Sequence, residues 1–191
     1  MGLKLFFQKK LFLERIRRRR QHRLLRQRQS EGRPVRKLHR RLLCLGHQRI
    51  VVDGRLTVLG TQSCPVVLEA SGLGDHEGIQ FNASSSGRGS LVQNLTIEDA
   101  IYGVTVYGSN PVLENLTVLN PDRVAVDLFS SAAPHITDLF VDQAGRDLGF
   151  QADWRYGLGL SVGAGSTPIV KRAVFSTVND RVLGPQRRRQ S

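Results

Sequence analysis

Residues 103–106 read Gly-Val-Thr-Val. The same order of a small, an apolar, a polar and an apolar residue occurs three more times in the chain, at residues 78–81, 125–128 and 159–162. The first residues of the four copies are separated by 25, 22 and 34 positions. Self-similarity at such intervals indicates one structural unit repeated along the chain.

A second short apolar segment follows each copy, at residues 95–97, 116–118, 139–141 and 173–175. Each unit therefore holds two or three short strands, with Gly, Asn, Asp, Ser or Pro between them and no helical pattern. One such unit cannot bury its own apolar face, so units must stack with their backbones paired at about 4.8 Å. This predicts an all-β fold, a short right-handed parallel β-helix of four to five repeats at residues 49–184.

Stacking also predicts which apolar side chains lie on one another. The four predicted rows are Ile79/Val104/Val126/Leu160, Phe81/Val106/Leu128/Val162, Leu95/Leu116/Leu139 and Ile97/Val118/Val141. Because successive strand residues point to opposite faces, Val126 should lie in the core and Asp127 should face solvent.

Asparagine recurs at the bend before the second strand. Asn94 and Asn115 occupy this position in successive units, and Asp138 follows in register. Asn and Asp tolerate the left-handed backbone that a tight bend requires, so we expect an asparagine ladder here. Both asparagines also begin Asn-x-Thr sequons, but the ladder explains them, which leaves Asn82 as the predicted glycosylation site.

The basic charge lies in the termini. Residues 1–48 carry a net charge of +14, residues 49–184 carry −5, and residues 185–191 carry +3. Like charges this dense oppose compaction, which predicts that residues 1–48 are a disordered tail. Residues 2–48 also lack Ala, Asp, Asn, Thr, Tyr and Trp, so a wrong start site or a shifted reading frame is the alternative. The sequence has no run of eighteen apolar residues, so it predicts no membrane-spanning helix.

On these motifs the chain resembles the right-handed parallel β-helix repeat family, which includes the NosD-like and the carbohydrate-binding and sugar-hydrolase (CASH) repeats of the pectate lyase-like superfamily. The resemblance covers residues 49–184 and implies the fold far more than the chemistry. It implies a secreted or surface location, and members range from polysaccharide lyases and hydrolases to non-catalytic adhesins.

Catalytic motifs are not apparent. Family hydrolases flank the scissile bond with two carboxylates, and their Asn-Thr-Asp, Asp-Asp, His-Gly and Arg-Tyr-Lys elements do not occur here. The outward row of the first strands is Gln80, Thr105, Asp127 and Ser161, which offers one carboxylate and too few oxygens for calcium. His76 and His135 lie too far apart to share a metal, so we expect no metal and no cofactor.

The interval of 34 places an insertion at residues 143–157, which is the most site-like segment. Loops on a rigid stack commonly carry binding residues. Aromatic rings there could stack on sugars while charged groups bind hydroxyls, or the same residues could simply cover the stack. The candidate ligand-binding residues are Asp127, Arg146, Asp147, Asp153, Trp154, Arg155 and Tyr156.

These observations favour a non-catalytic β-helix scaffold of a surface or secreted protein that binds a glycan or a protein partner. One alternative is a polysaccharide lyase or glycoside hydrolase that uses Asp127 and the insertion. Another is nucleic-acid or anionic-membrane binding through the Arg-rich residues 1–48. The ends of the predicted stack carry no obvious cap, so we expect either that the chain is a fragment of a longer protein or that an open end dimerises.

Overall fold

The structure, a computed structural model, describes residues 41–44, 48–70, 75–145, 157–177 and 183–185. Within these residues the regular structure is β-strand, apart from one short 3-10 helix at Ala83–Ser85. The strands are β1 (Arg41–Cys44), β2 (Ile50–Val52), β3 (Thr57–Leu59), β4 (Val66–Ala70), β5 (Ile79–Phe81), β6 (Leu91–Glu98), β7 (Tyr102–Tyr107), β8 (Val112–Leu119), β9 (Val124–Phe129), β10 (His135–Asp142), β11 (Leu158–Val162), β12 (Ile169–Ser176) and β13 (Leu183–Pro185).

The strands form two sheets in which the pairings are parallel. Sheet A has the order β1-β4-β6-β8-β10-β12, and β3 also pairs with β6. Sheet B has the order β2-β5-β7-β9-β11-β13. From β4 onward the chain alternates between the sheets, and each strand pairs with the strand two places later. The predicted all-β, parallel-stranded architecture is confirmed at this level.

The strand pairing places the residues of each predicted apolar row next to one another. In sheet B, Ile79, Val104, Val126 and Leu160 are successive partners, as are Phe81, Val106, Leu128 and Val162. In sheet A, Leu95, Leu116 and Leu139 are successive partners, as are Ile97, Val118 and Val141. These side chains form one core between the sheets, almost wholly buried except for the half-buried Val162. Burial of aliphatic surface, at roughly 25 cal/mol per Å², is therefore the main stabilising contribution.

The glycines that open two of the sheet B copies, Gly103 and Gly159, are required by close packing. A Cβ atom on Gly103 would lie 2.8 Å from Cγ1 of Val118 in sheet A. A Cβ atom on Gly159 would collide with the ring of Phe175, which lies beside Val141 in register. A Cβ atom on Gly103 would also collide with the carbonyl oxygen of Ala125, so contacts with the next strand and with the opposite sheet explain glycine at these two positions.

Left-handed backbone recurs at one bend of every sheet A strand from β6 to β12. The residues with positive φ are Asn94 (51°), Asn115 (51°), Asp138 (58°) and Arg172 (56°). The predicted left-handed conformation of the first three is therefore confirmed. The Nδ2 atom of Asn94 donates to the carbonyl of Gly60 at 3.0 Å, and Arg172 binds Asp138 through two hydrogen bonds. The side chains at this bend thus connect neighbouring repeats.

A second left-handed row, which the sequence did not reveal, lies five residues further along each of these strands. Its members are Asp99 (54°), Asn120 (52°), Gln143 (54°) and Thr177 (52°). The Nδ2 atom of Asn120 donates to Oδ1 of Asp99 at 3.2 Å. Asp99 and Asn120 are of residue types that tolerate left-handed backbone, whereas Gln143 and Thr177 are not, so residue type indicates only half of this row.

Two strands of the first repeat share one partner. Leu59 of β3 pairs with Gln93, and Val66 of β4 pairs with Leu95. Residues 60–65 therefore occupy the corner that Asn94 alone occupies in β6. Strand β1, within the segment predicted to be a tail, pairs with β4 and extends sheet A; residues 1–40 lie outside the described part of the chain.

Asn115→Val tests the bend. A β-branched side chain at φ 51° meets the steric penalty of left-handed backbone, so we expect the free energy of unfolding to fall by about 1–2 kcal/mol in urea titrations. Asn115→Gly should stay within about 1 kcal/mol of the parent protein because glycine adopts this conformation freely. Thr117→Val, in the same strand, is the matched control and should be mild. Equal losses for Val and Gly at position 115 would show that the side-chain contacts, and not the backbone, matter.

Candidate functional site

The candidate site lies on the outer face of sheet B, the side away from the core. Thr105, Asp127 and Ser161 follow one another in register on β7, β9 and β11. Val126 and Leu128 on either side of Asp127 belong to the core, so the predicted alternation is correct. The row therefore places a hydroxyl on each side of one carboxylate.

The prediction that Asp127 faces solvent is wrong. Its relative exposure is 1%, and Thr105 and Ser161 are only 4% and 3% exposed. Asp127 lies between these two strands and in a cavity that aromatic side chains also line. Alternation within a strand determines the side to which a residue points. Whether that side is exposed to solvent depends on the neighbouring side chains.

An aromatic pair flanks the row. Tyr107 and Phe129 are register partners, and their rings stack with centroids 5.0 Å apart and planes inclined by 15°. Both follow the second apolar residue of their repeat copies, at 103–106 and 125–128. They are half-buried and line the same cavity as Asp127. The pair thus gives the outer face of sheet B an apolar wall beside the polar row.

Two guanidinium groups approach Tyr102, which lines the cavity with Thr105. The Cζ atom of Arg123 lies 5.8 Å from the ring centroid, and its Nη1 donates to the phenolic oxygen at 3.0 Å. The Cζ atom of Arg49 lies 5.9 Å from the same centroid. Cations at this distance from an aromatic face are attracted by its quadrupole, so both guanidinium groups stabilise the position of Tyr102.

Arg49 brings a positive charge to the cavity and is itself fixed by the neighbouring repeat. Its Nη2 lies 2.6 Å from Oε2 of Glu77, and its Nη1 donates to Oε1 of Gln80. Gln80 donates in turn to Oδ1 of Asn82 at 2.7 Å. The charge of Arg49 is therefore balanced by Glu77 where it meets the cavity.

The cavity holds about 80 Å³ and is lined by Arg49, Tyr102, Thr105, Tyr107, Asp127 and Phe129. A water molecule occupies about 30 Å³ of liquid, so this space accepts a few waters or one small functional group. It is too small to enclose a drug-sized ligand, whose pockets begin near 300 Å³. The arrangement suits a surface ligand that stacks on the aromatic wall and inserts one polar group.

Of the predicted ligand-binding residues, Asp127 lies in this cavity. The other six, Arg146, Asp147, Asp153, Trp154, Arg155 and Tyr156, lie outside the described residues. The residues on either side of this undescribed segment both bind the connection between β8 and β9. Gly145 N donates to Pro121 O at 2.7 Å, and Leu158 N donates to Arg123 O at 2.9 Å.

Asn82 is committed to local hydrogen bonds. Its Nδ2 donates to Oδ1 of Asp53 at 2.8 Å, and Oγ of Ser84, the third residue of the sequon, donates to the same oxygen at 3.0 Å. These two bonds hold the pKa of Asp53 below its usual value. Glycosylation of Asn82 stays a prediction.

The sequence pattern does not single out Tyr102, Tyr107, Phe129 or Arg49. A signal existed for two of them, because Tyr107 and Phe129 stand two positions after Thr105 and Asp127 in the aligned copies. For Arg49 the sequence carried no signal, since its position beside Tyr102 results from stacking across repeats.

Among the described residues no group of three or more His, Cys, Asp or Glu side chains could hold a metal ion. Within the same residues no helix is long and apolar enough to cross a membrane. Comparisons with protein-family models, curated proteins and solved structures gave no match.

A double-mutant cycle on Tyr107→Ala and Phe129→Ala tests the stack. We expect a coupling of about 0.5–1.5 kcal/mol in the free energy of unfolding, the usual value for an aromatic pair. The control cycle combines Tyr107→Ala with Phe140→Ala, which removes an exposed aromatic residue of sheet A and should show additivity. A coupling near zero in the first cycle would show that the stacked geometry contributes nothing to stability.

Proposed function

We propose that this chain is a right-handed parallel β-helix module of a surface or secreted protein, and that it binds a glycan on the outer face of sheet B without catalysing its cleavage. The observation that carries the binding proposal is the stacked pair Tyr107 and Phe129 beside Asp127 and Thr105 at one cavity. The surface or secreted location rests on the resemblance to the β-helix repeat family alone.

The β-helix proposal is supported by the order of the strands. The chain passes alternately between two parallel sheets, and each return lies one strand further along the stack. A crossover between parallel strands of one sheet is right-handed in about 98% of cases, which supports the hand. Rows of matched apolar residues support stacking as the source of the core.

The glycan proposal is supported by chemistry. Sugar rings present C–H faces that pack on aromatic rings, and a carboxylate accepts hydrogen bonds from hydroxyl groups. The aromatic wall and Asp127 offer these two features side by side, with the hydroxyl of Thr105 next to them. The cavity of about 80 Å³ suits one hydroxymethyl or hydroxyl group of a sugar whose ring remains on the surface.

The non-catalytic character is supported by the charge count at the cavity. Glycoside hydrolysis by the common mechanism needs two carboxylates, about 5–9.5 Å apart, across the scissile bond. Asp127 is the single carboxylate among the described residues that line the cavity. An assay for reducing ends and unsaturated uronates over a polysaccharide panel separates a binding module from a hydrolase or lyase.

Deletion of one repeat tests the architecture. Removing residues 103–124, which equals the interval between two copies, should join Tyr102 to Ala125 and leave the apolar rows in register. We expect a folded, shorter protein with a cooperative thermal transition and the far-ultraviolet circular dichroism of β-structure. Removing residues 103–111 is the matched control; it removes β7 apart from Tyr102 and leaves β8 whole, so the chain no longer alternates between the sheets and the transition should be abolished. Unfolding by the full deletion would contradict independent stacked repeats.

Glycan binding is tested by calorimetric titration of neutral oligosaccharides selected on a glycan array. Phe129→Ala should raise Kd by about tenfold, the equivalent of about 1.4 kcal/mol. Asp127→Asn should raise it by a similar factor, because a hydrogen bond to a charged acceptor contributes about 1.5–3 kcal/mol. The control Phe140→Ala, on the outer face of sheet A, should leave Kd unchanged. Binding that survives both sheet B variants would place the glycan elsewhere.

A further inference from the structure

His76 is a fully buried titratable residue in the loop between β4 and β5. Its ring bridges two repeats: Nε2 lies 3.0 Å from the carbonyl oxygen of Glu98, and Nδ1 lies 3.1 Å from the backbone nitrogen of Gly78. Its backbone also pairs with Ala100, and Ile101 N donates to its carbonyl at 2.8 Å. One side chain thus fastens the loop to the end of β6.

These contacts fix the proton on the ring. Gly78 N–H can only donate, so Nδ1 must be the acceptor and carry no hydrogen. The carbonyl of Glu98 can only accept, so Nε2 must carry the hydrogen. A second proton on Nδ1 would face the amide hydrogen of Gly78 and replace an attraction by a repulsion. The site is therefore built for the neutral ring.

The loop that His76 fastens also holds Arg49 at the cavity. Glu77 N donates to the carbonyl of Gln48 at 2.8 Å, and Ile50 N donates to the carbonyl of Gly78 at 2.9 Å. The carboxylate of Glu77 is the ion-pair partner of Arg49. Arg49 is therefore held through residues 77 and 78, next to the histidine.

Charged groups around His76 act in the opposite direction to burial. Burial lowers the pKa of His76, whereas the carbonyl of Glu98 and the negative charges of Asp75 and Asp99 raise it, and the lowering prevails. Glu98 itself contributes its backbone here. A lowered pKa means that the unfolded chain takes up the proton first. The stability that neutral His76 contributes is thus present above about pH 6.5 and declines as the pH falls.

We propose that His76 is an acid-sensitive latch, whose protonation on Nδ1 breaks the bond from Gly78 N–H, loosens residues 76–78 and frees Arg49 from the edge of the candidate site. The device deepens the proposed function, since it would make ligand binding depend on pH. The latch itself requires no ligand, so the two proposals are tested separately.

Two measurements on the described loop test the latch. In nitrogen-15 spectra at neutral pH, the His76 ring should show hydrogen on Nε2 alone, and its pKa should lie below that of the same ring in the urea-unfolded protein. Hydrogen exchange, corrected for the intrinsic pH dependence, should show that the amides of Ile50, Glu77 and Gly78 lose at least tenfold protection between pH 7 and pH 5. Amides of β8 and β10 should keep theirs.

His76→Asn is the decisive variant, because its Oδ1 can accept from Gly78 N–H but cannot take up a proton in this range. The selective loss of protection at pH 5 should disappear in this variant and persist in the control His135→Asn. If His76→Asn does not fold, the pH titration of the His76 ring in the unaltered protein tests the latch instead. The latch is refuted if the pKa of His76 is the same in the folded and the unfolded protein, if protection falls equally in β8 and β10, or if the loss persists in His76→Asn.

Discussion

Parallel pairing of each repeat with the next is the constraint on which the rest of this molecule depends. A parallel strand cannot be reached by a tight hairpin, so the chain must travel away and return before it can pair again. Here the return path is itself a strand of the opposite sheet. Bends must therefore occur at fixed places, and the positive φ values at Asn94 and Asp99 recur at the matching positions of β8, β10 and β12.

The same constraint explains how much of the fold could be predicted. Stacking demands that equivalent residues lie on one another, so the spacing of the copies is enough to pair Val104 with Val126 and Leu116 with Leu139. The bend at Asn115 was readable because its residue type is typical of left-handed backbone. The bend at Gln143 was not, since there the neighbouring repeats impose the conformation against the preference of the residue.

The site was less predictable than the fold for a physical reason. A repeat pattern describes contacts within a row, and it assigned Asp127 to the outer face correctly. Whether that face is exposed to solvent depends on side chains from several strands. The repeat pattern does not predict the position of Arg49, which reaches the cavity from another repeat. Chemistry therefore arises from the differences between copies, such as the aromatic residues that follow two of them, whereas the fold arises from their likeness.

The corner between β3 and β4 shows how this chain tolerates a change of length. Six residues, 60–65, occupy the place of the single residue Asn94, yet pairing with β6 resumes at once on the far side. Thr61 and Cys64 close the excursion with a small bridge of their own. Extra residues at this corner therefore leave the strand register unchanged, because they displace no row of core residues. A foreign peptide could therefore be inserted at this corner and displayed on a rigid support without changing the pairing of the strands.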